Sequence, residues 1–289
     1  MSEWVRHRAE GWLSRSLIVA AAAAIFLAVL PIPASATWSV IAVDRSTGQV
    51  VIASATCVPQ ARLLTFPADD LRDIQAVVVP GMGVAAAQAG VDRDRSNQEL
   101  IFRQLEDGTH PSRILEMLMT DPEIQDRQFG IVDLEGRFAG FSGAQTSAAS
   151  SDVQGRVPGT EIYYSIQGNI LASYSVVQDA VGAMEESEGS VTDRVIAAME
   201  AADRAGGDAR CSCEDESAPD APCEYRHADV AYIMAADADD EAREEEGFND
   251  GDYPLYISVT DENTRSDENA NPVVTLRMRY DAWRAEPDP

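Results

Sequence analysis

The sequence contains no lysine, and its 22 basic residues other than histidine are all arginines. No lysine can therefore act here as a general base or form a Schiff base with a substrate. Histidine is scarce as well, and only His110 and His227 lie beyond residue 36. His110 precedes Pro111 at a predicted helix start, which favours a structural role. The side chains that most often activate a nucleophile are therefore few.

Positive charge is sparse relative to negative charge. The chain carries 49 acidic residues and a formal net charge of −27. This balance argues against nucleic acid and against anionic membrane as partners. The most acidic stretch, residues 237–252, lacks the ligand spacing of a calcium loop, so we expect a solvated surface loop.

Long apolar runs are missing except for one, at residues 17–30. Its 14 residues are short for a membrane helix, which needs roughly 20. Arginines precede the run, and Ala34-Ser35-Ala36 follows it with the small residues that signal peptidase selects. We therefore predict a signal peptide over 1–36, a single domain over 37–289, and a periplasmic or secreted protein. An uncleaved signal anchor is the alternative.

Cysteine is limited to four residues, all in the predicted exported part: Cys57, Cys211, Cys213 and Cys223. An even number in an oxidising compartment favours disulfides. Cys211 and Cys213 are poorly spaced to pair with each other, so Cys223 would pair with one of them and Cys57 with the other. A zinc site that also uses His227 is the alternative, but its spacing is irregular. We predict no metal and no cofactor.

The hydrophobic pattern changes between strand and helix periods along the chain. It predicts apolar strands over 37–43 and 50–56, and further strands over 73–79 and 84–88 that flank a tight glycine turn. Helix periodicity follows from Ser96, from Pro111, around 176–184, over 191–205 and from Pro272. A strand pair lies over 129–141, residues 142–160 are predicted to be a loop, and strands return at 162–166, 228–234 and 255–259. Strands in hairpins and helices in pairs predict an α+β fold with antiparallel sheets.

Thr37 would become the first residue after cleavage behind Ala36. A terminal threonine carries a hydroxyl nucleophile and an α-amine base on one residue, which is the arrangement of N-terminal-nucleophile hydrolases. A predicted strand begins at the same residue, so the new terminus would be held in a sheet. The alternative is that threonine follows the cleavage site by chance.

Several segments resemble the Ntn-hydrolase-like family called domain of unknown function 1028. They are TWSVIAVDRSTGQVVIASAT, GVAAAQAGV, QFGIVDLEGRFAGFSG, YSIQGNIL and PLYISVTDENTRSDENANPVVTLR. The resemblance implies a four-layer αββα sandwich with two antiparallel sheets between helical layers, and the chemistry of its superfamily is amide-bond hydrolysis. Thr37 matches the threonine that follows the initiator methionine in this family. The cysteine-bearing loop 211–223 and the acidic segment 237–246 are departures that look like insertions.

The sequence and the resemblance together predict a set of site residues. Thr37 is the nucleophile, Ser39 faces the same side of the sheet, and the Gly168 N–H with the Asn169 side chain would stabilise an oxyanion. Gln88 and Gln167 are predicted to bind a small-molecule or peptide amide. Ordinary backbone or turn hydrogen bonding is the alternative for the polar side chains.

A non-catalytic secreted binding or surface protein is the alternative function. After signal cleavage we expect no membrane association, and a homo-oligomer is one assembly that the sequence allows.

Overall fold

The structure, a computed structural model, describes residues 37–147, 149–243 and 247–286. In these ranges the strands are β1 Thr37–Asp44, β2 Gln49–Thr56, β3 Ala76–Val79, β4 Gly83–Ala89, β5 Arg127–Asp133, β6 Phe138–Ser142, β7 Ser151–Arg156, β8 Ile162–Asn169, β9 Val230–Ala236 and β10 Leu255–Val259. The helices are α1 Gln60–Leu63, α2 Leu71–Gln75, α3 Ser96–Glu106, α4 Pro111–Leu118, α5 Ser175–Glu186, α6 Val191–Arg204 and α7 Pro272–Ala285. A short 3-10 helix spans Ile124–Asp126.

The larger sheet has six antiparallel strands in the order β10-β9-β2-β1-β8-β7. Strands β1 and β2 lie at its centre, and nearly all their residues are buried. Their almost continuous apolar sequence is that of strands covered on both faces. Alternate residues of β1 therefore face opposite layers: Val40 packs in one apolar cluster and Ile41 in another.

The smaller sheet has four antiparallel strands in the order β3-β4-β5-β6. Strands β3 and β4 form a hairpin whose turn contains Gly81, with a positive φ of 69° that suits glycine. This hairpin confirms the predicted tight turn. Strand β5 pairs with β4 although α3 and α4 lie between them in the sequence, and this pairing sets Gln88 opposite Gln128.

Three apolar clusters hold the described residues together. One joins α5, α6 and α7 to a face of the six-stranded sheet, and a second joins α3 and α4 to a face of the four-stranded sheet. The third lies between strands of the two sheets and includes Ile41, Ile52 and Val84. The predicted α+β class with two antiparallel sheets and helices is confirmed.

Two helix starts follow the sequence signals. Ser190 and Asp193 form a reciprocal capping box at α6, in which each side chain accepts from the other residue's backbone N–H. The His110 ring accepts a hydrogen bond from the Ser112 N–H at the start of α4, 3.1 Å away. His110 is thus a helix cap, as predicted from its position before Pro111.

Two predictions of local structure were wrong in part. A strand is predicted over 73–79, and β3 does form at Ala76–Val79, but α2 occupies Leu71–Gln75 because the Asp70 carboxylate caps it by accepting from two backbone N–H groups. Residues 142–160 were predicted to be a loop, but β7 forms at Ser151–Arg156 as an edge strand on β8. Its polar, half-buried residues give no apolar signal, so pairing with β8 alone reveals it.

The four cysteines form two disulfides, Cys57–Cys211 and Cys213–Cys223, with Cα–Cα distances of 5.6 and 5.9 Å. This is one of the two pairings left open by the sequence. It commits all four sulfurs, so the zinc alternative that required these thiolates is wrong.

The predicted signal peptide at 1–36 lies outside the described residues and stays a prediction. No helix in the described ranges combines the length and apolar character needed to cross a bilayer.

Candidate functional site

Thr37 is the first residue of β1, at the end of a central strand. Its neighbours across the sheet are Thr56 on β2 and Asn169 on β8. The side chain is only 3% exposed, and its hydroxyl lies 3.4 Å from the Thr56 hydroxyl. The residue is therefore held by strand pairing on both sides.

Two carboxamide side chains hold the Thr37 carbonyl oxygen. Gln88 Nε2 donates to it from the four-stranded sheet at 3.2 Å, and Asn169 Nδ2 donates from β8 at 3.4 Å. Both amides also donate to Gln128 Oε1, at 2.8 and 3.2 Å respectively. Gln88 of the four-stranded sheet and Asn169 of the six-stranded sheet thus each donate to the same two acceptors, the Thr37 carbonyl oxygen and Gln128 Oε1.

Ser39 occupies the next position on the same face of β1, as its spacing from Thr37 predicts. Its hydroxyl donates to Gln88 Oε1 at 2.6 Å and accepts from Gln167 Nε2 at 2.5 Å. Gln167 Oε1 in turn accepts from the Ser165 hydroxyl at 2.7 Å. Ser39 and Gln167 therefore lie in a fully buried layer that connects to Thr37 through Gln88.

Gln128 is the central residue of this network and is not among the site residues predicted from the sequence. It is fully buried, and its Nε2 group lies 2.9 Å from the Gly168 carbonyl oxygen and 2.8 Å from the Ser142 hydroxyl. A main-chain carbonyl oxygen can only accept a hydrogen bond. The end of the Gln128 carboxamide that lies against the Gly168 carbonyl must therefore be the Nε2 group. In the sequence Gln128 is one of two polar residues, after Arg127, that open an apolar strand, and its role becomes clear only once β5 is known to pair with β4.

Two glycines of the smaller sheet make room for these polar side chains. A Cβ atom on Gly130 would lie 2.2 Å from Gln167 Oε1, and one on Gly140 would lie 1.9 Å from Gln154 Nε2. Gly130 and Gly140 are opposite each other on β5 and β6. The absence of side chains there lets long amides from the six-stranded sheet lie flat against the smaller sheet.

The network leads away from Thr37 to one carboxylate. The Ser142 hydroxyl donates to Asp152 Oδ1 at 2.5 Å, and Gln154 Nε2 lies 3.1 Å from Asp152 Oδ2. The groups in direct hydrogen-bond contact with Thr37, in the described part of the chain, are hydroxyls and carboxamides. None of these groups titrates near neutral pH.

The two predicted oxyanion donors lie beside Thr37 but are engaged. Gly168 is inside β8, opposite Trp38 on one side and Ser151 on the other. A carboxamide has two N–H donors, and those of Asn169 are directed at the Thr37 oxygen and Gln128. The oxyanion role of Gly168 and Asn169 stays a prediction. Asn169 Oδ1, in contrast, is buried and has no hydrogen-bond partner in the part of the chain that the structure describes.

A small cavity of about 10 Å³ lies beside Thr37. Thr37, Thr56, Gln75 and Gln88 contribute polar atoms, and the other lining residues are mainly apolar: Val58, Leu63, Leu71, Ile74, Ala87, Ala89 and Val91. A second cavity of about 10 Å³ shares Gln88 and extends towards Arg127. Of the two predicted substrate-binding residues, Gln88 thus lines cavities, whereas Gln167 is enclosed between the sheets.

His227 belongs to a separate cluster near the Cys57–Cys211 disulfide. Its Nδ1 atom lies 2.8 Å from the Asp203 carbonyl oxygen and 3.4 Å from the buried Asp203 carboxylate. The side-chain hydrogen bond with Asp203 raises the pKa of His227 above its usual value, against the opposing effect of burial. The described polar contacts of the His227 ring are with Asp203 and do not include Thr37, so His227 takes no part in the candidate site.

Comparison with known proteins connects this chain to a family through residues that include the candidate site. The model of a family of unknown function, DUF1028, matches residues 37–219. The crystal structure of a DUF1028 protein from Silicibacter pomeroyi aligns with a TM-score of 0.61 and 21% sequence identity, covering 87% of this chain and 88% of that chain. At that identity the likeness shows a shared fold alone. No curated protein sequence matches this chain.

Proposed function

We propose, from the premise that this chain belongs to the DUF1028 family, that it is an exported N-terminal-nucleophile amidohydrolase. Thr37 is the nucleophile, and its own α-amine is the base. The observation that carries the proposal is the start of β1 at Thr37, held by a buried shell whose described members are hydroxyls and carboxamides. With no lysine in the sequence and no described histidine in contact with Thr37, the α-amine is the base this site would use.

The mechanism follows from these positions. The Thr37 hydroxyl attacks the carbonyl carbon of an amide, and the α-amine accepts the hydroxyl proton directly or through one water. The same group then delivers the proton to the leaving nitrogen, and water hydrolyses the ester that remains on Thr37. An α-amino group has a pKa of about 7.7–8.0 in a model peptide, so a neutral fraction exists near pH 7.

The finer fold assignment is part of the proposal. Two antiparallel sheets share an apolar cluster, and helices pack on a face of each. This packing supports the four-layer αββα sandwich of Ntn hydrolases, in which the nucleophile begins a central strand.

Export is supported by two independent features. The disulfides Cys57–Cys211 and Cys213–Cys223 suit an oxidising compartment. The match to the family model begins at Thr37, the residue behind the proposed cleavage site. Before cleavage the Thr37 nitrogen is an amide and cannot act as a base, so export and activation would be a single event.

The cavity beside Thr37 suggests where the substrate would lie. Leu63, Leu71 and Ile74 line it as an apolar wall, and Thr37 and Gln88 line the same cavity. We therefore assign the apolar wall to the acyl side of a small-molecule or peptide amide and the Gln88 amide to substrate orientation.

The test compares the exported protein with matched threonine variants. Terminal sequencing of the exported chain should begin at Thr37, and a β-lactone probe should label that residue. Thr37→Ser should keep labelling, whereas Thr37→Ala should fold and lose it. Thr47→Ala removes an exposed turn threonine and should label as the wild type does. A different terminus, or full labelling of Thr37→Ala, would refute the proposal.

A second candidate is a secreted binding protein without chemistry. It is favoured by the size of the cavity at Thr37, which at about 10 Å³ admits roughly one water. In that case the chain would begin at Thr37 after export but show no labelling by the probe.

A further inference from the structure

We infer that Asn169 is the positioning residue for the Thr37 α-amine, with its Oδ1 atom as the acceptor of an amine N–H after cleavage. This inference rests on the proposed function because it needs a free amine on Thr37. It differs from the predicted oxyanion role, which would use the nitrogen of the same side chain.

The first step is the orientation of the Asn169 carboxamide. Its Nδ2 group donates to the Thr37 oxygen at 3.4 Å and to Gln128 Oε1 at 3.2 Å. Gln128 itself is oriented by donation from Nε2 to the Gly168 carbonyl oxygen. A main-chain acceptor thus determines the direction of Gln128, and Gln128 determines that of Asn169. The oxygen end of the Asn169 amide cannot be exchanged with the nitrogen end without losing both bonds.

The second step is the unpaired oxygen. Asn169 is fully buried, and within the described ranges its Oδ1 atom has no hydrogen-bond partner. A buried acceptor without a partner is disfavoured relative to a paired one, so a donor that reaches it is favoured.

The third step is the donor that cleavage creates. The Thr37 nitrogen carries one hydrogen as a peptide amide and gains further N–H donors when it becomes a terminal amine. Thr37 and Asn169 are directly opposite each other in the β1–β8 ladder, and their side chains share one face of the sheet. The groups that face Thr37 from β2, β4 and β8 are Thr56, Gln88 and Asn169. Among the atoms of these contacts, Asn169 Oδ1 is the unpaired acceptor, so we assign the new N–H to it.

The absence of lysine makes the experiment selective. The Thr37 α-amine is the sole primary amine of a chain that begins at Thr37. Carbamoylation by cyanate, followed by intact mass, therefore reports this amine without background. The midpoint of its pH–rate profile, corrected against a short peptide with an N-terminal threonine, gives the amine pKa.

Asn169→Ala should lower this midpoint by about one pH unit, because a hydrogen bond from the charged donor stabilises the ammonium form. Asn169→Asp should raise it, since the acceptor becomes an anion. The midpoint of Asn169→Ser, whose hydroxyl is an acceptor on a shorter side chain, should fall between those of the wild type and Asn169→Ala. This variant also tests the inference if Asn169→Ala does not fold. The matched control is Asn249→Ala, because Asn249 is also a buried asparagine with an unpaired Oδ1 but bonds to the Arg72 and Ala76 carbonyls.

An unchanged midpoint in the Asn169 variants, or an equal change in Asn249→Ala, would overturn the inference and leave the hydrolase proposal standing. An exported chain that begins elsewhere than Thr37 would overturn both. Probe labelling of Thr37 that fails while the midpoints move as expected would overturn the hydrolase proposal alone.

Discussion

The glycine at position 130 offers a sharp test of the packing between the sheets. Gly130 lies on β5 against the Gln167 carboxamide, and an added Cβ would lie 2.2 Å from Oε1 and 2.7 Å from Cδ of that side chain. Real Cβ atoms do not approach this closely, so Gly130→Ala must displace Gln167. The displaced amide would lose its bonds with Ser39 and Ser165, which measure 2.5 and 2.7 Å.

The expected loss of stability can be worked from these contacts. Overpacking a filled interior costs about 1–3 kcal/mol. Two buried hydrogen bonds contribute roughly 1 kcal/mol each, and partners left unpaired cost more. We expect Gly130→Ala to lower the free energy of unfolding by about 3 kcal/mol, which for a chain of this size lowers the Tm by roughly 6–12 °C.

Scanning calorimetry of the disulfide-intact protein measures this change. Gly182→Ala is the matched control, because Gly182 lies inside α5 with nothing within 4 Å of its would-be Cβ. Alanine there should raise stability by about 1 kcal/mol through helix propensity. A Tm of Gly130→Ala within about 2 °C of the wild type, roughly the effect of 1 kcal/mol or less, would show that the sheets are not packed around Gln167 in this way.

Three further outcomes are expected. Gln128→Leu should lower the free energy of unfolding by about 3 kcal/mol in the same calorimetric assay, because it leaves two buried amides without their shared acceptor. Asp203 raises the pKa of His227. The protonated histidine therefore stabilises the fold fully below about pH 6.5, and this stabilisation is lost as the pH rises through the raised pKa. We expect the free energy of unfolding of His227→Phe, measured in urea between pH 6 and 8, to lack this decline. Removing the Cys57–Cys211 disulfide by double serine substitution should lower the free energy of unfolding by about 2 kcal/mol more than removing Cys213–Cys223 in the same way. The reason is that the first disulfide joins residues 154 positions apart and the second joins residues 10 positions apart. Equal losses would contradict the chain-entropy argument.

Local sequence signals predicted the elements whose defining contacts join residues that are close together in the sequence. The capping pair Ser190 and Asp193 marks the start of α6, and His110 with Pro111 marks the start of α4. The apolar runs of β1 and β2 predict strands covered on both faces, and the short turn between them makes their pairing local as well. In each case the residues that make the contact lie within about 20 positions of each other.

The polar layer could not be predicted because its members meet only in the folded chain. Gln88 and Gln128 face each other across β4 and β5, with two helices between them in the sequence. Gln128 lies just before the strand predicted from residue 129 and carries no local signal, whereas Gln88, Ser39 and Asn169 are predicted site residues from their positions at strand ends or beside Thr37. The glycines Gly130 and Gly140 carry no local signal either, because neither has a positive φ and their role is to make room for side chains of the other sheet.

The hydrogen bonds around Thr37 also bear on the order of folding and cleavage. Gln88 and Asn169 donate to the carbonyl oxygen of Thr37, and Thr56 contacts its hydroxyl, so these bonds do not involve the nitrogen that cleavage would free. The shell can therefore form around the uncleaved chain, and cleavage then adds an amine to a site that is already ordered. A preformed site needs little reorganisation when charge develops in it, which is the condition for effective electrostatic stabilisation. If Thr37 is the nucleophile, the presequence would suppress activity through the chemistry of one nitrogen atom, and the described hydrogen bonds around Thr37 would not need to change on its removal.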